Sequence, residues 1–79
     1  MIRVLFFGPV AERIGRNELQ VEYRTAMLLQ ELRDELSKQN PPAFEIVCFA
    51  AVNGEHARDM SLPLADNSEV AFMAKFSGG

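Results

Sequence analysis

The residues of this chain best suited to chemistry are its last two, Gly78 and Gly79, which are two of its five glycines. With glycine at about 7% of average composition, a terminal pair arises by chance in roughly 1 in 200 chains. The pair follows an alternating segment, Glu69 to Phe76, that reads as a final strand, so it would project from a rigid base. Fully extended, Lys75 to Gly79 reach about 17 Å at ~3.4 Å per residue. Glycine has no Cβ, so such a backbone can thread a narrow channel into another protein. A carboxyl carbon beside an unsubstituted Cα is open to attack. The carboxylate itself is a poor electrophile. Adenylyl transfer from ATP would give it a good leaving group, and a sulfur nucleophile would then produce a terminal thiocarboxylate. The chain has no Walker-type phosphate loop, so that ATP chemistry would belong to a partner.

Other reactive side chains read as structural. Cys48 is the single cysteine, lies in the apolar run from Ile46 to Val52, and reads as a buried thiol serving as a small hydrophobe. His56 is the single histidine and follows a turn, with no second ligand type at zinc spacing. No metal is expected. The eight Lys and Arg residues are dispersed and the net charge is −3, which argues against a nucleic-acid partner. The longest apolar runs fall far short of the ~20 residues that cross a bilayer. The start carries no signal-peptide pattern, and the cysteine cannot form an intrachain disulfide; both point to the cytoplasm.

The elements that must position the tail follow from periodicity. Residues 2–7 read as a strand with Ile2, Val4 and Phe6 on one face and Leu5 and Phe7 on the other. Gly8-Pro9 ends it, and Val10 to Ile14 read as a helical turn closed by Gly15. Leu19, Val21 and Tyr23 alternate with polar residues in a half-buried strand. Thr25 can cap a helix over Ala26 to Gln39, whose Leu28, Leu29, Leu32 and Leu36 form one stripe. Asn40-Pro41-Pro42 stops that helix. Residues 46–52 read as a buried strand, Asn53-Gly54 as a hairpin turn, and Glu55 to Arg58 as its return. Leu62 and Leu64 tuck under the sheet, and Phe6, Phe44, Phe49 and Phe72 read as core. Two hairpin-like ends flanking one helix allow the first and last strands to lie parallel at the sheet centre. The expected class is α+β: a β-grasp (ubiquitin-like) mixed sheet with one main helix packed on one face, in a single domain over 1–79 with an extended tail at 75–79.

Four segments, Met1 to Phe7, Ala11 to Gly15, Ala50 to Asn53 and Asp66 to Gly79, together resemble the small subunit of molybdopterin synthase (MoaD) across essentially the whole chain. The resemblance implies a sulfur-donor subunit of a transferase complex, not an enzyme alone and with no cofactor bound. It implies that Gly79, carried by Phe76, Ser77 and Gly78, is adenylated by an E1-like enzyme with ATP, becomes a thiocarboxylate, and enters the large synthase subunit. There two such carriers supply the dithiolene sulfurs of molybdopterin, with a cyclic pyranopterin phosphate as substrate. It further implies partner contacts at Leu5, Phe7 and Met73, on the helix-free sheet face. One departure is visible: where the family commonly has Pro-Pro, this chain has Ala74-Lys75. Two other readings stand beside this one: a related carrier for thiamine thiazole synthesis or tRNA thiolation, and a ubiquitin-like binding module that never uses its end chemically.

Overall fold

The computed structural model describes residues 1–75. Strand β1 (Ile2–Phe6) buries Ile2, Val4 and Phe6 completely or nearly so, and turns Arg3 and Leu5 to the opposite face. Gly8 takes φ +52°, and helix α1 (Gly8–Ile14) carries Pro9 in its first turn, where the missing N–H would have had no partner. Gly15, at φ +85°, closes the helix by donating its N–H to the Ala11 carbonyl at 2.8 Å. Strand β2 (Glu18–Val21) then returns antiparallel to β1, with Leu19 and Val21 half-buried. Tyr23 lies beyond its end.

Helix α2 (Leu29–Gln39) buries Leu29, Leu32 and Leu36 at steps of three and four. It begins later than the sequence implied. Ala26 stands at φ +62° in a turn, so Thr25 is not its cap. The Glu31 side chain instead accepts from the Leu28 N–H at 2.8 Å. The next two donors, Leu29 and Gln30, bond the carbonyls of Leu62 and Met60 at 2.9 and 2.8 Å. A distant loop does what a cap residue would do. Asn40 ends α2, but the prolines then start a further turn, α3 (Pro41–Phe44), because both occupy the first helical positions.

Strands β3 (Val47–Val52) and β4 (Glu55–Ala57) form a hairpin around Asn53 and Gly54, both at positive φ. Strand β5 (Glu69–Ala74) runs parallel to β1 and antiparallel to β3. The sheet order is β2-β1-β5-β3-β4, with the first and last strands central as the sequence implied. The core lies between the sheet and the helices. Its aromatic centre is Phe6, Phe44 and Phe72, with ring centroids 5.2 to 6.5 Å apart. Among the described residues Ser68 is the one buried polar side chain, and its hydroxyl donates to the Ala65 carbonyl at 2.7 Å and accepts from the Ala65 N–H at 3.2 Å.

Strand β3 corrects two expectations. Cys48 is exposed, and so is Phe49 at 39%; only Ala50 of this strand is buried. The pairing with β5 shifts between Val47 and Phe49, leaving Cys48 at a bulge. An all-apolar run looks like a strand covered on both faces. Here one face carries the core and the other is open.

Candidate functional site

Side chains alternate along a strand, so register decides which residues share the helix-free face. Leu5 stands beside Ala71, Ala71 beside Ala51, and Ala51 beside His56. One row on, Met73 stands beside Phe49. Leu5, Ala51, Ala71 and Met73 are half-buried, so the field is apolar but reachable by solvent. Phe49 meets His56 edge-on, with centroids 5.4 Å apart. Phe7, 45% exposed, lies just past the end of β1, with extended backbone, beside a groove of ≈ 400 Å³ that Leu5, Asn17 and Glu18 also line.

Charges border this field. The Arg3 guanidinium donates to Glu18 at 3.0 Å and to Glu69 at 3.3 Å, tying three strands together. The hydrogen bond to Glu18, and then its charge, hold the Arg3 pKa above its ordinary value. Both partners are exposed, so the pairs orient the rim more than they stabilise it.

The base of the tail is the second part of the site. Strand β5 ends at Ala74, paired with Val47, and Lys75 follows. A groove of ≈ 340 Å³ opens there between Pro9, Arg13, Ile46, Cys48, Ala74 and Lys75. Arg13 donates to the Pro42 carbonyl at 2.7 Å and lies 3.7 Å from Glu45. The site residues Phe76, Ser77, Gly78 and Gly79 lie outside the described residues. Among the described residues, no cluster of three or more His, Cys, Asp and Glu side chains could hold a metal ion, and no helix is long and apolar enough to cross a membrane.

The structure therefore brings Leu5 and Met73 onto one face, with Phe7 at its margin. Sequence reasoning missed Phe49, Ala51 and His56 as members of that face. The signal was the hairpin: Asn53-Gly54 fixes the register, and Ala50 and Val52 then have the opposite parity to Phe49 and Ala51.

The ThiS family model matches residues 4–79, almost the entire length. The chain belongs to the ThiS family. Comparison with curated protein sequences returned no match. Among solved structures, the chain is similar to SAMP1 from Haloferax volcanii, with TM-score 0.82 and 21% identity over 99% of this chain and 98% of that one. It is similar to a putative molybdopterin converting factor, subunit 1, from Pyrococcus furiosus, with TM-score 0.82 and 20% identity over 95% and 97%. It is also similar to a chain in the complex of subunits 1 and 2 of the molybdopterin-converting factor from Helicobacter pylori, with TM-score 0.74 and 24% identity over 99% and 97%. At these identities the structures establish the fold. It is the ubiquitin-like β-grasp of the ThiS and MoaD-like sulfur carriers.

Proposed function

We propose that this ThiS-family chain is the sulfur-carrying small subunit of a molybdopterin synthase, with the Gly79 carboxyl as its working group. The observation that supports this reading best is the family match running through Gly79, on a chain whose last strand is held at the centre of the sheet. A tail that leaves a strand bonded on both sides has a fixed point of departure. In this reading an E1-like partner in the cytoplasm supplies ATP and its binding site, and no cofactor resides on the carrier. The Gly79 carboxylate attacks the α-phosphorus of ATP and releases pyrophosphate. Sulfide then attacks the acyl carbon and displaces AMP, leaving the thiocarboxylate. Inside the large synthase subunit that sulfur attacks a carbon of the cyclic pyranopterin precursor and displaces an oxygen substituent, forming a thioester. Water then cleaves the acyl–sulfur bond, leaving the sulfur on the product and restoring the Gly79 carboxylate.

The Helicobacter pylori relative is described in complex with its subunit 2, which supports a large-subunit partner here. The open face, with Leu5 and Met73 on it and Phe7 at its margin, is the surface we assign to that contact. Deletion of Gly79 tests the reading. The truncated chain should stay folded and bind the large subunit while sulfur transfer to the precursor falls to background. Retained transfer would exclude the terminal carboxyl as the carrier.

A carrier serving a different acceptor, such as a thiazole precursor or tRNA, is the second reading. Ala74-Lys75 favours it, because a lysine replaces the stiff, uncharged proline at the mouth of the tail. Co-purification separates the two by which acceptor protein comes down with the chain.

A further inference from the structure

Beyond its tail and its open face, the molecule has an incomplete sheet edge. Strand β4 pairs with Ala50, Ala51 and Val52 of β3 and goes no further. Had it continued in register, Arg58, Asp59 and Met60 would have paired with Phe49, Cys48 and Val47. The chain instead turns away after Ala57. The Met60 and Leu62 carbonyls accept from the first N–H groups of α2, at Gln30 and Leu29. Backbone that would have closed the edge is spent on capping the helix. In its place lies a groove of ≈ 590 Å³ between α2 and the Val47–Phe49 edge.

The walls of this groove select what could fill it. Arg33 and Arg58 line it, with His56 and a single acid, Asp34. Among the described residues neither arginine has an ion-pair partner. The groove is thus locally cationic in a chain of net charge −3. Phe49 and Val47 supply apolar contact along the same edge. An open strand edge between unpaired guanidinium groups fits an extended segment that adds main-chain hydrogen bonds and places carboxylates beside the arginines. A second copy of this chain fits poorly, because edge-to-edge pairing would bring the arginines of both copies together.

We propose that the Val47–Phe49 edge is a strand-addition site for an acidic extended segment of a partner protein, bordering the open face at Phe49 and His56 and independent of whether Gly79 carries sulfur. The test is a titration of the isotope-labelled full chain with a synthetic peptide of about six residues alternating valine and glutamate. Its amide signals should shift, and gain exchange protection, at Val47 to Phe49 and along the facing side of α2. Arg58→Glu should weaken binding about tenfold. The same peptide N-methylated at alternate amides should lose the protection, because it keeps the charges but not the donors. Three results would overturn the proposal: no binding of the acidic peptide, equal binding of a valine–lysine peptide, or protection that appears without peptide as the protein is concentrated. The last would assign the edge to a second copy.

Discussion

Phe49 is a large aromatic side chain left 39% exposed beside Met73 on a sheet face that no helix covers. Its ring contributes less to folding than a core ring does, so its two roles separate by experiment. Phe49→Ala should cost about 1 kcal/mol in urea unfolding, whereas Phe72→Ala, fully buried between Phe6 and Phe44, should cost about 3–5 kcal/mol. The same Phe49→Ala change should weaken binding of the partner that covers the open face by at least tenfold, since aromatic side chains desolvated on binding carry much of an interface's energy. Asp59 makes a prediction about pH. Its carboxylate accepts from the Ser61 hydroxyl at 2.6 Å and the Ser61 N–H at 2.9 Å, and these bonds lower its pKa below the ordinary value. A lowered folded pKa stabilises the turn above the unfolded pKa, and that contribution is lost as pH falls through the folded value. Carboxyl chemical shifts followed with acid should show Asp59 titrating late, and Ser61→Ala should return it toward its ordinary value.

At the scale of elements, the start of α2 shows where cap chemistry sits. Thr25→Ala should change stability by less than about 0.5 kcal/mol, because Thr25 stands outside the helix. Glu31→Ala should cost about 1 kcal/mol by freeing the Leu28 N–H, measurable by thermal unfolding. The contrast explains what was legible in the sequence. Alternation in β1 and β5 and the Asn53-Gly54 turn are local signals, and those elements formed where they pointed; of the Leu28, Leu29, Leu32 and Leu36 stripe, the last three lie in α2 and Leu28 stands at its cap. The late start of α2 was hidden because its donors are bonded by Met60 and Leu62, some thirty positions away in the chain. The exposure of Cys48 and Phe49 was hidden for a related reason. A bulge and a missing neighbour strand belong to the sheet as a whole, while the residues of β3 read as uniformly apolar. The placement of Leu5 and Met73 on the helix-free face was legible from strand parity; that of His56 required the hairpin register.

At the scale of the whole molecule, the architecture is a small rigid sheet with its first and last strands paired at the centre. The parallel β1–β5 pair sets where the chain departs toward Gly79, and β3 braces the other side of β5. Removing Gly79 should therefore leave the unfolding temperature unchanged, within the scatter of surface substitutions. The proposed function turns on the Gly79 carboxyl accepting sulfur after activation by a partner. Intact mass spectrometry tests it most directly, after incubation of the full chain with a competent E1-like enzyme, ATP and a sulfide source. The expected result is a mass increase equal to the replacement of one oxygen by sulfur, confined to the terminal glycine and absent without ATP. An unchanged mass alongside a control carrier that is converted under the same conditions would contradict it.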